Sequence, residues 1–318
     1  MKLILRQSGI KDIIYSGSLR NTCWLNWKTK FIDGIRQKPS EAMMKGAYFE
    51  FIVGVNRFSE TISLPKNLKN GKKTVAEERL EMQAMIFEKL KIERKMMVSP
   101  ENTQVKLQAP YGNPMCPACM SEKVTVLPIL GQDPLWEGRC FSCEYKGDGL
   151  DFSSVTLEGT IDILSPFLNK FEGNEILLPL ANIDTKVTQS LDSSFGDYQW
   201  ENVYEKDYVQ AIFYHKIFFM ITGRHLYHVY LVFDYKPKYS HKIVYKIVNN
   251  FDLNSIEEDI RRSISEIYKA KNDNWKANPS DDNCRYCPLG KSYNEKLGVE
   301  YGDGSCKMYK QVKEQEVW

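Results

Sequence analysis

The 318-residue chain lacks the long apolar stretches that membrane proteins and exported proteins carry. Its best apolar run, residues 217–221, is far shorter than the roughly 20 residues that a membrane-spanning helix needs. The first residues, MKLILRQSGIKDII, contain no extended hydrophobic region of the kind found in signal peptides. We therefore expect a cytoplasmic protein of a bacterial, archaeal or phage-infected cell, with no membrane partner.

The chain also lacks a strong excess of charge of either sign. Its 43 lysines and arginines against 41 aspartates and glutamates leave a formal net charge of +2. Domains that bind nucleic acid through their bulk charge usually have a pI above about 9, whereas this chain has a pI of about 8.0. Any groove for nucleic acid is therefore a local patch, and the lysine-rich residues 66–73 are one candidate, with a solvated loop as the alternative.

Two familiar enzyme motifs are missing as well. The chain has four histidines, none in an H-E-x-x-H arrangement, which excludes zinc proteases of that kind and suggests no catalytic triad. Residues 290–292, Gly-Lys-Ser, look like the end of a phosphate-binding Walker loop. That motif needs a glycine at position 285, where Arg285 stands. The chain is therefore not itself a helicase motor.

Eight cysteines are present, and in a cytoplasmic chain they favour metal ligands over disulfides. Cys116 and Cys119 form one C-x-x-C pair, Cys140 and Cys143 form another, and residues 120–139 separate them. This spacing is typical of a zinc site in which two tight turns aim four sulfurs at one ion. We therefore predict a zinc ribbon at residues 110–148, with a structural role and some contact with DNA.

Hydrophobic periodicity and capping residues predict the other elements. Helices are expected at residues 40–54, 75–93 and 204–222, and a last helix is expected to begin at a capping box formed by Ser255 and Glu258. Strands are expected at residues 155–164, 176–183, 227–234 and 242–248, with residues 165–174 as a loop. The apolar stripe of the second helix is predicted to consist of Val75, Leu80, Met82, Met85, Ile86 and Leu90.

Two acids and a lysine at the ends of neighbouring predicted strands are the most informative pattern. A divalent cation accelerates phosphodiester hydrolysis by neutralising the phosphate and lowering the pKa of a bound water, and Mg²⁺ prefers oxygen ligands. Asp162 and Asp184 supply carboxylates, and a backbone carbonyl near Thr185 adds another oxygen. Because side chains alternate along a strand, Lys186 shares a face with Asp184. There its ammonium can orient the attacking water or stabilise the phosphate charge.

This pattern resembles the PD-(D/E)XK nuclease superfamily, and most fully its RecB-type branch. That branch carries an early helix with a glycine and a histidine or glutamate, followed by G-x-x-D, D-x-K and Q-x-x-x-Y motifs. The matching positions in this chain are, in order, Gly46 with Glu50, Gly159 with Asp162, Asp184 with Lys186, and Gln210 with Tyr214. The resemblance implies an α/β (α+β) chain with a restriction-endonuclease-like core, a central mixed sheet flanked by helices.

The resemblance also implies roles for these residues. Asp162, Asp184 and the Thr185 carbonyl would hold Mg²⁺ or Mn²⁺, and Glu50 would complete the metal shell where many relatives have histidine. Lys186 would assist the attacking water. The pair Gln210 and Tyr214 would position a base or phosphate, and Gly46 would lie where its helix packs closely or meets DNA. The long spacing between the two aspartates and the ribbon are departures from the common pattern.

A second set of cysteines fits the same resemblance. Some RecB-type nucleases, including CRISPR adaptation nucleases and the AddB subunit of helicase–nucleases, hold a [4Fe-4S] cluster through one early cysteine and three late ones. Cys23, Cys284, Cys287 and Cys306 reproduce this layout, which implies a structural cluster that clasps the N- and C-terminal regions together. The gap before Cys306 is longer than in the familiar pattern. A second zinc site and unliganded cysteines therefore stay open as alternatives.

These features predict four regions: residues 1–109 with the early cysteine and first core helices, the ribbon at 110–148, the nuclease core at 149–274 and the C-terminal cysteine region and tail at 275–318. The leading hypothesis is a metal-dependent DNA nuclease, an exonuclease on single strands or duplex ends. It would act in recombination, repair or phage DNA metabolism, with a helicase or recombination partner in trans. The alternatives are an assembly factor that binds DNA or protein through the nuclease fold, and a zinc-ribbon RNA-processing factor.

Overall fold

The computed structural model describes residues 2–15, 18–35, 41–56, 74–129, 136–171, 174–188, 191, 209–234, 239–278, 287, 289, 292–294, 299–301 and 306. The chain divides into two compact units: one combines Leu3–Pro39 with Asn254–Trp318, and the other holds Ser40–Leu253. Within the described ranges, no helix has both the length and the apolar character that crossing a membrane requires. The cytoplasmic location stays a prediction.

The helices of the described ranges are, in chain order, α1 (Gln7–Lys11), α2 (Trp24–Phe31), α3 (Glu41–Ile52), α4 (Val75–Glu93), α5 (Val209–Thr222) and α6 (Asn250–Asn272). The strands are β1 (Leu3–Arg6), β2 (Ile14–Tyr15), β3 (Ser18–Leu19), β4 (Thr103–Tyr111), β5 (Val124–Pro128), β6 (Trp136–Cys140), β7 (Lys146–Asp148), β8 (Val155–Phe171), β9 (Asn174–Thr188), β10 (Tyr227–Asp234), β11 (His241–Lys246), β12 (Ser292–Asn294) and β13 (Val299–Tyr301). A 3-10 turn at Gly149–Phe152 connects β7 to β8.

A mixed sheet forms the centre of the Ser40–Leu253 unit. Strand β8 pairs antiparallel with β4 and with β9, β9 pairs parallel with β10, and β10 pairs antiparallel with β11. Parallel neighbours need a crossover connection, and α5 lies in the chain between β9 and β10 as such a connection requires. A central mixed sheet with flanking helices in an α+β chain was predicted, and this prediction is confirmed.

Helices cover both faces of this sheet. Successive side chains of a strand point to opposite faces, so neighbouring residues of one strand belong to different clusters. Val229, Leu231 and Phe233 of β10 belong to a buried cluster that also holds Phe49 of α3 and Phe87 of α4. The alternate residues of β10 pack in a second cluster with α5, formed by Ala211, Tyr230, Val232 and Val244. The sheet is therefore a layer between α3 and α4 on one face and α5 on the other.

The structure corrects the loop that the sequence predicted at residues 165–174. Strand β8 continues to Phe171 and β9 starts at Asn174, with Leu168 paired to Leu177 along the way. A register shift between Ser165 and Phe167 breaks the alternation, so that the adjacent Phe167 and Leu168 are both buried. Such an irregularity removes the period of two by which a strand is recognised in sequence.

The last helix also begins earlier than predicted. Asn249 and Asp252 exchange reciprocal hydrogen bonds, each side chain accepting from the other residue's backbone N–H at 2.9 Å. This is the geometry of a capping box, and α6 therefore starts at Asn250. The predicted box at Ser255 and Glu258 is wrong, because these residues lie within the helix.

Helix α4 has the predicted bounds but not the whole predicted stripe. Thr74 and Glu77 form a capping box at its start. Its buried face includes Leu80, Phe87 and Leu90, together with Gln83, whose amide donates to the Asp234 backbone carbonyl. Ile86 is half-buried, whereas three members of the predicted stripe are exposed: Val75, Met82 and Met85. A buried, hydrogen-bonded glutamine occupies a position that apolar periodicity does not reveal.

Candidate active site

The predicted acids and lysine lie on three elements of the Ser40–Leu253 unit. Asp162 belongs to β8, Asp184 and Lys186 belong to β9, and Glu50 belongs to α3. Lys186 Nζ lies 2.6 Å from Asp184 Oδ1. The charges of Glu50, Asp184 and Lys186 all act on Asp162. The structure therefore brings these four residues into one electrostatic centre, which we call the acid–lysine centre.

Asp184 is the most buried member of the acid–lysine centre, with 3% of its surface exposed. Its Oδ1 contacts the Lys186 ammonium at 2.6 Å, and no backbone or neutral side-chain donor bonds to either carboxylate oxygen among the described residues. Burying a carboxylate without hydrogen bonds is costly unless a cation compensates its charge. The neighbouring Lys186 ammonium supplies one positive charge, and the second carboxylate oxygen still has lone pairs to offer.

The acidic residues of the centre repel one another. Burial raises the pKa of Asp162 well above its usual range, and the charges of Asp184 and Glu50 raise it further. Burial likewise raises the pKa of Glu50, against the opposing charge of Lys186. For Lys186, burial acts to lower the pKa, but the carboxylates of Asp184, Asp162 and Glu50 outweigh it, and the pKa is raised. The centre is thus short of positive charge, with its lysine held protonated.

These properties fit a divalent cation. Three carboxylates offer hard oxygen ligands of the kind that Mg²⁺ and Mn²⁺ bind, and the buried oxygens of Asp184 lack other partners. Among the described residues, the ligand atoms of Glu50, Asp162 and Asp184 do not all lie within 4.8 Å of one another. Side-chain rotation would therefore accompany binding. Thr185 is buried and its hydroxyl has no partner among the described residues, and a metal contact through its carbonyl stays a prediction.

The G-x-x-D and Q-x-x-x-Y motifs meet in one contact between β8 and α5. A Cβ atom on Gly159 would lie 2.6 Å from Cε1 of the Tyr214 ring, closer than two carbon atoms can approach. The Gln210 side chain hydrogen-bonds to Tyr214. Burial raises the pKa of Tyr214 to about 12, with Asp162 and Asp184 adding to the rise. Gly159 thus admits a protonated tyrosine beside the acids.

The Gly159→Ala variant is therefore expected to displace the Tyr214 ring. Overpacking of this kind costs about 1–3 kcal/mol of stability, and the moved tyrosine no longer stands beside the acids. We expect a lower melting temperature and reduced DNA cleavage, measured by thermal unfolding and by degradation of labelled DNA.

The matched control is Gly46→Ala. Among the described residues, a Cβ atom on Gly46 would meet nothing within 4 Å, so these residues show no close packing of this glycine. Alanine favours a helix by about 1 kcal/mol relative to glycine, and stability should be kept or raised. Lost activity in a stable Gly46→Ala protein would support contact with DNA at this position. A normal melting temperature for Gly159→Ala would contradict the packing argument.

Gln104 is a residue of this site that sequence reasoning missed. It lies in β4, opposite β8, and its Nε2 donates to Asp162 Oδ1 at 3.3 Å. Its backbone has a φ of 51°, a conformation that non-glycine residues rarely adopt and that often occurs at functional sites. No motif marks a glutamine within a strand, and its partner is 58 positions away in sequence.

The Gln104→Gly variant removes the hydrogen bond to Asp162 but keeps the positive φ of the backbone, so that it tests the hydrogen bond alone. Glycine adopts a positive φ without strain, so Gln104→Gly should fold at least as stably as the unaltered chain. Loss of a group that orients a metal ligand typically costs roughly 10-fold or more in metal affinity or activity. We expect a higher Mn²⁺ requirement for cleavage, measured as rate against Mn²⁺ concentration. If the Mn²⁺ concentration needed for cleavage is unchanged, the hydrogen bond from Gln104 does not position Asp162.

The four ribbon cysteines converge on one point. Strands β5, β6 and β7 form a three-stranded antiparallel sheet, and the sulfurs of Cys116, Cys119, Cys140 and Cys143 all lie within 4.8 Å of one another. The Cys116–Cys143 and Cys119–Cys140 sulfur pairs are each 3.6 Å apart. A tetrahedral zinc site with bonds of about 2.3 Å has sulfurs separated by about 3.8 Å. The predicted clustering of these cysteines into a potential metal site is confirmed, and the identity of the metal is not thereby fixed.

The two C-x-x-C turns have the same backbone form. The residue after each pair, Met120 and Glu144, has a φ of 59°. Burial acts to raise the pKa of Cys140, but the backbone N–H groups of Ser142 and Cys143, helped by the thiols of Cys119 and Cys143, lower it to about 6. The neighbouring sulfurs of the same cluster raise the pKa of Cys119 and of Cys143. Donors placed around a sulfur stabilise the thiolate form that binds metals.

The second cysteine set lies in the unit that joins the two chain ends. Cys23 and Cys287 are buried and Cys306 is half-buried, whereas Cys284 lies outside the described residues. The Cys23 sulfur accepts a hydrogen bond from the Asn278 backbone N–H at 3.4 Å. The [4Fe-4S] cluster therefore stays a prediction.

Fold and site together define an α+β protein with a buried acid–lysine centre and a four-cysteine ribbon. The sequence matches no known family and no curated protein. In structure the chain is similar to a crystal structure described as a "Putative exonuclease" from Eubacterium rectale, with a TM-score of 0.55 and 15% sequence identity. The similarity covers 93% of this chain and 92% of the other. It shows that the two chains share a fold.

Proposed function

We propose that the protein is a divalent-metal-dependent nuclease that degrades DNA from single-stranded or duplex ends. The observation that carries the proposal is the acid–lysine centre, in which the buried Asp184 carboxylate stands 2.6 Å from the Lys186 ammonium beside Asp162 and Glu50. Similarity in fold to a protein described as a "Putative exonuclease" supports the same activity. The order of motifs supports assignment to the RecB-type branch of the PD-(D/E)XK nucleases.

Each residue of the centre has a chemical task in this proposal. Glu50, Asp162 and Asp184 would hold the metal, which when bound neutralises the phosphate and lowers the pKa of water. Lys186 stays protonated and stabilises the negative charge that builds up on the phosphate. Tyr214 also stays protonated and can donate its phenolic hydrogen to a phosphate oxygen. Hydrolysis joins the water oxygen to phosphorus and breaks one P–O bond, and the departing sugar oxygen takes up a proton.

Incubation of end-labelled single-stranded and duplex DNA with Mg²⁺ or Mn²⁺ tests the proposal. We expect progressive loss of DNA from the ends, which stops when the divalent metal is withheld. Stable binding of DNA without cleavage across several divalent metals would contradict the nuclease and favour an assembly factor. Preferential cleavage of structured RNA would instead favour an RNA-processing factor.

The cysteine sets have separate roles in this proposal. Zinc would be held by the ribbon cysteines, and a [4Fe-4S] cluster by Cys23, Cys284, Cys287 and Cys306. The cluster would be structural, since the two chain ends that carry its ligands belong to one compact unit. Iron and sulfide analysis of protein purified without oxygen distinguishes such a cluster from a second zinc ion. Action in recombination, repair or phage DNA metabolism, with a helicase in trans, is the setting that we propose.

A further inference from the structure

One face of the ribbon sheet is turned to solvent and carries an unusual set of side chains. Along β6 the residues alternate between buried and exposed, and the buried side packs Cys140 with Phe152, Val124 and Val126. Because side chains alternate across a strand, Arg139 and Lys146 lie on the opposite side. Next to them are the exposed Lys123 and Phe141, which are joined by a backbone hydrogen bond of 2.9 Å. We call these four residues the outer face.

Two cations of the outer face stand side by side. Arg139 lies directly opposite Lys146 in the pairing of β6 with β7, and like charges in that position destabilise a sheet. Within the described ranges, neither these two residues nor Lys123 has an acidic partner in an ion pair. A cluster of three such cations is the complement of an anionic ligand.

Phe141 adds an aromatic surface to these cations. Its side chain is 61% exposed, and the Arg139 guanidinium lies over the ring, 5.8 Å from its centre. A cation beside an open aromatic ring is the combination on which proteins stack the bases of a single strand while contacting its phosphates. A base in a single strand presents its face to such a ring, whereas a base inside a duplex is covered by the neighbouring base pairs, which favours single strands over the interior of duplex DNA.

The same sheet face is acidic at its other end. Glu137 lies two residue pairs further from the cysteine turns than Arg139, opposite Asp148 on one side and opposite Leu127 on the other. Phosphates are repelled by this acidic row and attracted by the basic one. The charge pattern therefore confines an anionic strand to the end of the face that carries Phe141.

We propose that the outer face of the ribbon binds single-stranded DNA, with a base stacked on Phe141 and phosphates on Arg139, Lys146 and Lys123. The ribbon then holds a strand at a second site in addition to the acid–lysine centre. The choice of DNA rests on the proposed function, but strand binding does not require that the protein cleaves.

Fluorescence anisotropy with a labelled oligothymidine of about 20 nucleotides, a length that exceeds common single-strand site sizes, tests this proposal. All proteins carry Asp184→Asn so that the DNA stays intact. Loss of one stacked base should weaken binding by roughly 5-fold or more in Phe141→Ala, with an unchanged salt dependence. Arg139→Ala with Lys146→Ala should reduce the slope of log affinity against log salt by about 1.4, because each single-strand phosphate contact contributes about 0.7.

The matched control is Leu127→Ala, which removes a side chain of similar exposure, 59%, from the acidic end of the same face. Its affinity should stay within about 2-fold of the unaltered chain, since surface changes away from a contact usually alter energies by no more than about 0.5 kcal/mol. An unchanged metal content confirms that each variant keeps its ribbon. Wild-type affinity and salt slope in the outer-face variants, or an equal loss with duplex DNA, would overturn the proposal. A protein that binds through this face but never cleaves would refute the nuclease alone.

Discussion

Asp184→Asn and Lys186→Ala are each expected to reduce metal-dependent DNA degradation by at least about 100-fold, the usual cost of losing one group that stabilises the transition-state charge. The asparagine side chain has nearly the same shape as that of aspartate but carries no charge to hold a cation. Lys186 lies 2.6 Å from Asp184 Oδ1, so its removal deletes the positive charge beside the reacting phosphate. Initial rates of DNA degradation at saturating Mn²⁺ measure both effects.

A second ion pair on the same two strands provides the control. Lys170 of β8 and Glu175 of β9 are exposed and 2.9 Å apart. Exposed ion pairs of this kind contribute about 0–1 kcal/mol to stability. Because this pair also lies outside the acid–lysine centre, Lys170→Ala and Glu175→Gln should keep full activity. DNA binding should survive in Asp184→Asn even though cleavage is lost. Undiminished cleavage in either Asp184→Asn or Lys186→Ala would show that the acid–lysine centre is not the catalytic site.

Cys140→Ser is expected to release the ribbon metal and unfold the ribbon. The described apolar core of this region is small: Cys116, Trp136, Cys140 and Phe152, with Val124 and Val126 partly buried beside them. So few side chains cannot offset the entropy of ordering the ribbon. Structural zinc contributes about 10–16 kcal/mol in small zinc-binding peptides, and a metal of this kind would supply the missing stability.

Zinc analysis and limited proteolysis measure this loss. The unaltered chain should contain one zinc ion in its ribbon and resist cleavage there, whereas Cys140→Ser should lose that ion and be cut within residues 110–152. Ser142→Ala changes an exposed residue of the same turn, whose hydroxyl lies 2.7 Å from that of Ser121, and should keep both metal and protection. Retention of zinc and protection by Cys140→Ser would refute a metal-dependent ribbon.

Local patterns predicted much of the fold. The bounds of α4 and of β10 agree with the sequence because a capping residue or a continuous apolar run marks them. Strand β4 was not predicted, although Val105, Leu107 and Ala109 alternate with polar residues in its sequence TQVKLQAPY. The extension of β8 past residue 164 was missed because the register shift hides the strand period.

The sequence predicted the residues of the candidate site but not the residues that position them. Glu50, Asp162, Asp184 and Lys186 could be named because their chemistry and order carry the signal. Their electrostatic coupling follows from the fold alone.

The sequence by itself determined which chemical groups the protein has, their order, and the spacing of the ribbon cysteines, because residue type and short-range spacing are properties of the chain. Only the tertiary structure decided that Gly159 makes room for Tyr214, that Gln104 donates to Asp162, and that Arg139 and Lys146 stand opposite each other. The first two are contacts between residues more than 50 positions apart, and the third depends on strand register. Although Gly159 and Tyr214 belong to motifs, no motif or periodicity says which residues touch, so the packing of strands and helices had to fix these contacts.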